Sequence, residues 1–305
     1  MAPGELYCDR YSFGFDRLKF YPLLVRWRFS DAIFCGLLIL IFILNWNYNP
    51  GPFQRQFFIN DLTISHPFAE HERVPVFLLF FASFGIPFAV VTLVSLIFTP
   101  RQHKVYVLYV SLLGLFLSLF TTDLITEFLK CWIGRHRPDF LARCVVKEGT
   151  PENTMVFAKD VCTTDNILIL LDGFKTTPSG HSSTSFSGLG FLSLWLCGQF
   201  LVSHVDTGSW RTIVCGIPAF GACYIALSRT EDYRHHFVDV ILGSVLGCIM
   251  AWWSYRRIFP KITDDYCYLP YVLIDEEKHD GNTIYRDVEY ELTPQHDAEE
   301  ANGAA

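Results

Sequence analysis

The sequence predicts an all-α integral membrane protein, a bundle of six spanning helices. Three observations carry that prediction. Hydrophobic residues make up 51% of the 305-residue chain, they fall in long blocks, and Lys and Arg gather at the block edges. A chain this apolar does not stay unfolded in water. Repeated blocks about as long as a bilayer crossing do not suit a soluble helical domain either. A window of about 19 residues marks the blocks at 31–48, 74–98, 105–129, 182–202, 212–227 and 237–255.

The first block is short and leans on its flanks. Residues 1–30 before it mix aromatics with Arg10, Arg17, Lys19, Arg26 and Arg28, a composition suited to the cytosolic interface. They lack the short apolar core and small-residue cleavage site of a signal peptide. The second and third blocks are long enough to cross with tilt. Pro75, Pro87 and Pro218 are tolerable in spans where neighbouring helices satisfy the freed carbonyls. Asp123 and Glu127 stand in the third block, four apart and deep, with no evident partner beyond Lys130. After the sixth block, residues 261–305 form an acidic segment expected to be disordered and cytosolic. The domain scheme is therefore 1–30, 31–260 and 261–305.

Charge orients the bundle. The formal charge is −7, but residues 262–305 alone carry −10, which leaves +3 on the rest. The basic residues form no stripe, so no nucleic-acid partner is expected. Six spans put both termini on one side. The basic segment before the first span makes that side cytosolic, and Arg101, Lys104, Arg256, Arg257 and Lys261 agree. The opposite side receives 49–73, 130–181 and 228–236. The loop 130–181 is also basic, which opposes this orientation unless its charges have another task. The ten Cys residues show no CxxC pair and no zinc spacing. Cys144 and Cys162 share this loop, where a disulfide requires an oxidising lumen.

Three clusters on the non-cytosolic side carry chemistry. Lys130 and Arg137 are seven apart, close to two helical turns, so they share a face and can clamp an anion. Pro138 limits how far that helix extends. Alone, such a pair reads equally as snorkelling cations. Before the fourth span, Ser179 is a helix N-cap, Gly180 admits close backbone approach, and His181 stands at the helix N-terminus, where phosphate is favoured. Before the sixth span, His235 and Asp239 are four apart. A carboxylate one turn on can hold one ring N–H and aim the other nitrogen outward. His236, three from Asp239, is the rival; His236 and His136 read otherwise as rim histidines.

These residues resemble a known family. Lys130…Arg137-Pro138, Pro178-Ser179-Gly180-His181 and Ser228-Arg229…His235…Asp239 match the three-part signature of the type 2 phosphatidic acid phosphatases, whose phosphate site is shared with vanadium haloperoxidases. All eleven specified positions are present. The stretch 228–239 (SRTEDYRHHFVD) and the runs 57–67, 132–135, 159–164 and 171–174 are similar to the fungal diacylglycerol pyrophosphate phosphatases within that family. The resemblance implies a helical bundle of that kind and phospholipid substrates, diacylglycerol pyrophosphate and phosphatidate. It implies catalysis without metal or other cofactor and without an obligate protein partner. His235 would be the nucleophile forming a phosphohistidine, Asp239 would orient it, and His181 would protonate the leaving oxygen. Lys130, Arg137, Arg229 and the Ser179–Gly180 backbone would hold the phosphoryl oxygens. A vacuolar membrane with a lumenal site is implied as well.

Three other readings compete. Cys131 and Arg137 have the Cys-x5-Arg spacing of thiolate phosphatases, a short pattern that arises easily by chance. A six-span transporter would place its site near the midplane, where Asp123 and Glu127 are the candidates. A lipid headgroup phosphotransferase would use the same residues, with an alcohol in place of water.

Overall fold

A computed structural model describes residues 19–47 and 51–274 of the chain. Every regular element among them is helical. A short helix α1 (Tyr21–Arg26) leads into α2 (Phe29–Asn47). The long helices α3 (Val76–Phe98) and α4 (Lys104–Ile133) follow. Three short helices, α5 (Phe140–Cys144), α6 (Ala158–Val161) and α7 (Ile167–Asp172), come next. The chain then builds α8 (Gly180–Gln199), α9 (Trp210–Glu231) and α10 (Phe237–Ile258).

Among the described residues four helices, α3, α4, α9 and α10, are long and apolar enough to cross a membrane. This differs from the expected six. The helix α2 has a shorter apolar stretch, Phe29–Asn45. The helix α8 is long but rich in serine, and its place in the bundle explains why. It packs against α4, α9 and α10. Ser182, Ser183, Ser185 and Ser187 are all buried. A helix surrounded by protein needs no apolar outer face, and small residues let its neighbours approach. At Gly243 and Gly247 of α10, a Cβ would come within 2.5 Å of the Ser179 and Ser183 carbonyls.

Local sequence accounts for the irregularities. Pro87 has no N–H for the carbonyl four residues back, Ser83, and Phe81–Gly85 is a π turn there. That carbonyl faces α8. The helix α4 has 30 residues, so it is about 45 Å long against an apolar core of about 30 Å. Lys130 stands in its last turn. The helix ends at Gly134, whose φ of 58° is left-handed and whose Cβ would lie 2.0 Å from the Phe53 carbonyl oxygen. In α9 the N–H after Pro218, that of Ala219, donates to Ser193 Oγ at 3.1 Å.

Residues between α4 and α8, expected as a hydrophilic loop, instead join the 51–75 segment in a small lobe. Phe57, Ile64, Phe140, Val161 and Phe174 form its apolar core. A Cys144–Cys162 disulfide ties α5 to the end of α6. The boundary at 261 also shifts. Cys267, Leu269, Leu273 and Ile274 are buried, the last three in the main core beside α4, α8 and α10. The rest of the acidic segment, 275–305, lies outside the described residues, as do residues 1–18.

Candidate active site

The three clusters meet at one end of the bundle. A cavity of about 320 Å³ is lined by Lys130, Arg137, Gly180, His181, Arg229 and His235. The end of α4, the start of α8, the end of α9 and the turn before α10 each contribute. Val76, Leu79 and Phe80 of α3 form an apolar wall. Cys131 is not among the lining residues, so the Cys-x5-Arg pattern does not put a thiolate in the cavity.

His235 is 4% exposed. Its Nδ1 lies 2.7 Å from the Thr176 carbonyl oxygen. A carbonyl oxygen accepts only, so Nδ1 carries the hydrogen and Nε2 keeps a free lone pair. Burial, then the charges of Arg137 and Lys130, hold the imidazole well below its ordinary pKa. The ring is neutral at neutral pH and equipped to attack.

Asp239 corrects the expectation from spacing, because it makes no direct bond to His235. Its Oδ1 accepts from Thr177 Oγ1 at 2.6 Å and Arg135 Nη1 at 3.0 Å. Its Oδ2 accepts from Thr176 Oγ1 at 2.7 Å and the His236 N–H at 2.9 Å. The carboxylate is therefore fully engaged in fastening the 176–177 turn and capping α10. Its link to His235 runs through Thr176, whose hydroxyl also lies 3.3 Å from Nδ1.

Ser179 needs a similar correction. It is the α8 N-cap, accepting from the Ser182 N–H, but it is fully buried and its own N–H donates to the Asp239 carbonyl at 3.0 Å. That N–H is not offered to a ligand. Gly180 does line the cavity, and a Cβ there would lie 2.7 Å from Lys130 Nζ. His181 Nε2–H donates to the Val74 carbonyl at 3.0 Å, so its Nδ1 is the nitrogen left for a leaving group.

Each cationic candidate is held by a carboxylate. Lys130 Nζ donates to Glu127 at 2.6 Å. Arg137 donates to the Asp172 carboxylate at 2.8 Å and to its carbonyl at 2.9 Å. Arg229, 1% exposed, donates to Glu72 at 2.8 Å and Asp232 at 2.7 Å. Burial works to raise the Glu72 carboxyl, but Arg234 and Arg229 outweigh it and hold it below the usual range. Asp172, also bonded by Arg143, follows the same logic: burial is overcome by Arg137 and Arg143, and its carboxyl falls to about 2. Glu72, Asp139, Arg143, Asp172, Thr176 and Arg234 were not singled out from sequence. Buried arginines require counterions, but which loop supplies them is not readable from spacing.

Glu127 is accounted for by Lys130. Asp123 lines the same cavity one turn deeper. His136 packs among Phe57, Phe140 and Phe174 and bonds the Arg55 carbonyl, so it belongs to the lobe core. The described residues contain no group of three or more His, Cys, Asp or Glu placed to hold a metal ion.

Comparison with known proteins gives the same direction. Residues 111–262 match the PAP2 superfamily. The chain is 55% identical over 246 residues to diacylglycerol pyrophosphate phosphatase 1 of Saccharomyces cerevisiae, spanning 80% of this chain and 84% of that one. It is 41% identical over 211 residues to a probable diacylglycerol pyrophosphate phosphatase 1 of Schizosaccharomyces pombe, spanning 69% and 74%. It is 36% identical over 182 residues to lipid phosphate phosphatase 2 of Arabidopsis thaliana, spanning 59% and 60%. No solved structure matches the chain.

Proposed function

The chain belongs to the PAP2 superfamily, and we propose that its cavity hydrolyses lipid phosphates: diacylglycerol pyrophosphate to phosphatidate, and phosphatidate to diacylglycerol. The observation that carries this is His235, with Nδ1–H tied to a carbonyl and Nε2 free, in one cavity with Lys130, Arg137 and Arg229. Nε2 attacks phosphorus as the bond to the leaving oxygen breaks, giving a phosphohistidine. Burial, then Arg229, lower the His181 pKa to about 3; the charge of a bound phosphoryl group opposes this and draws onto Nδ1 the proton that His181 gives to the alcohol oxygen leaving phosphatidate. His181 then takes one from water as the hydroxide oxygen displaces His235. The three cations meet the charge that collects on the equatorial oxygens. The apolar wall of α3 gives the acyl chains a path to the bilayer.

The reaction needs lipid and water, but no metal, other cofactor, nucleic acid or obligate protein partner. The protein is a multi-pass membrane protein. Our reading places it in the vacuolar membrane with a lumenal site and cytosolic termini; the disulfide beside the cavity suits an oxidising compartment. The test is phosphate release from both lipids by purified protein in excess EDTA. Wild type should turn over both and form an acid-labile phosphoenzyme, and His235→Ala should do neither. Activity that EDTA abolishes, or that survives His235→Ala, defeats the proposal.

A further inference from the structure

We propose that Arg234 is a second phosphate-binding residue, one that serves lipids with a diphosphate headgroup. This rests on the phosphatase reading above and deepens it. Arg234 lies outside the eleven signature positions but lines the same cavity. Its Nε donates to Glu72 Oε1 at 3.0 Å, and its Nη2 contacts the same oxygen. Glu72 Oε2 takes Arg229 Nη1 at 2.8 Å. One carboxylate thus bridges two guanidinium groups, one oxygen to each. A phosphoryl group can bridge them in the same way, and more strongly, because it has more oxygens and more charge. Arg234 is also held from behind: its guanidinium lies 5.0 Å from the Phe68 ring centroid and 3.5 Å from Asp139.

Charge and direction both point to the second phosphoryl group. The cavity is lined by four cations, Lys130, Arg137, Arg229 and Arg234. The first three serve the reacting phosphoryl. A diphosphate brings at least one further negative charge, and Arg234 is the lining cation not yet assigned. In-line displacement sends the leaving group away from His235 and toward His181. His181 is bonded to Val74, two residues after Glu72, so the 72–74 segment walls the leaving-group side. The side chain of Arg234 reaches to that wall. On binding, the second phosphoryl takes Arg234 from Glu72. When the bridging P–O bond breaks, its electron pair stays on an oxygen already facing a guanidinium, and no proton is required. A monophosphate lipid leaves Arg234 on Glu72.

The experiment compares wild type, Arg234→Gln and Arg234→Lys on both lipids. It adds inhibition of phosphatidate hydrolysis by methylenediphosphonate and by orthophosphate. Arg234→Gln should lower the ratio of kcat/KM for diacylglycerol pyrophosphate over phosphatidate by about tenfold, the scale of one charge-assisted hydrogen bond. It should weaken methylenediphosphonate inhibition by a similar factor and orthophosphate inhibition by much less. Arg234→Lys, which keeps the charge, should recover part of the ratio, and it stands in should the Gln variant not fold. An equal loss on both lipids, or an unmoved inhibitor ratio, overturns the assignment and leaves the phosphatase reading standing. Wild type inert on both lipids, or an active His235→Ala, removes that reading and this one together.

Discussion

Thr176→Val separates the two ways in which Asp239 can act on His235. Valine keeps the backbone, the β-branch and nearly the volume of threonine, and removes one hydroxyl. That hydroxyl gives Asp239 Oδ2 a 2.7 Å bond. A hydrogen bond to a charged group contributes about 1.5–3 kcal/mol. Asp239 keeps three other donors, from Thr177, Arg135 and His236, so the expected loss is at the lower end, about 1–2 kcal/mol. The Thr176 carbonyl, which takes the Nδ1–H at 2.7 Å, is untouched. The imidazole therefore keeps its tautomer, and kcat should fall by only about tenfold through looser orientation. Losing the tautomer-fixing partner of a catalytic histidine costs on the order of 10⁴. The assay is kcat for phosphate release from phosphatidate micelles, paired with the midpoint of thermal inactivation in detergent. A loss near 10⁴ with an unchanged midpoint would refute the reasoning, because the hydroxyl and not the carbonyl would then fix the ring.

Gly180→Ala should leave the fold intact, because its Cβ meets only the flexible end of Lys130 at 2.7 Å; moving that ammonium should lower kcat/KM by roughly ten- to a hundredfold, measured beside an unchanged thermal midpoint. His136 has its pKa lowered to about 4, chiefly by burial, while the unfolded imidazole titrates near 6.5. The unfolded state gains its proton first as pH falls, so stability present above about 6.5 is lost down to about 4, at up to about 1.4 kcal/mol per pH unit. His136→Phe should flatten that slope by about one proton in melts from pH 7 to 4.5, and an unchanged slope would disprove the assignment. Replacing Cys144 and Cys162 by Ala opens a loop of sequence separation 18 and should lower stability by about 3 kcal/mol; insensitivity of the thermal midpoint to the double change would contradict it.

The convergence of the candidate residues was legible because they sit at helix ends, where spacing places residues in register. Lys130 and Arg137, His181, and Arg229 with His235 all reached the cavity as expected. What spacing could not supply was the partner of each. The four-residue step from His235 to Asp239 suggests contact, but contact depends on what else claims the carboxylate, and the threonines at 176 and 177 arrive from another part of the chain. Glu72 and Asp172 are unremarkable acids until the fold brings them to buried arginines. The hydropathy window marked 182–202 as a span, whereas α8 is rich in serine because it faces protein, packed against α4, α9 and α10. The run 266–274 (YCYLPYVLI) is strongly apolar, a signal of burial masked by Asp264 and Asp265 before it and the acids after it.

The lining groups explain how so many charges share one cavity. Against its four cations stand four carboxylates, Glu72, Asp123, Glu127 and Asp172. Four unpaired cations at this depth would repel one another and bear a large desolvation penalty. Pairing removes that penalty and fixes each guanidinium before substrate arrives. It also means that phosphate binding is an exchange: the incoming oxygens compete with carboxylates already in place. On the proposed reading a phosphoryl group engages Lys130, Arg137 and Arg229 at once, whereas of these three Glu127 bonds only Lys130, Asp172 only Arg137 and Glu72 only Arg229. The transition state, with its charge spread over the equatorial oxygens, gains most from that simultaneous contact. On that reading the carboxylates set a threshold that a lone anion crosses poorly and a reacting phosphoryl group crosses well.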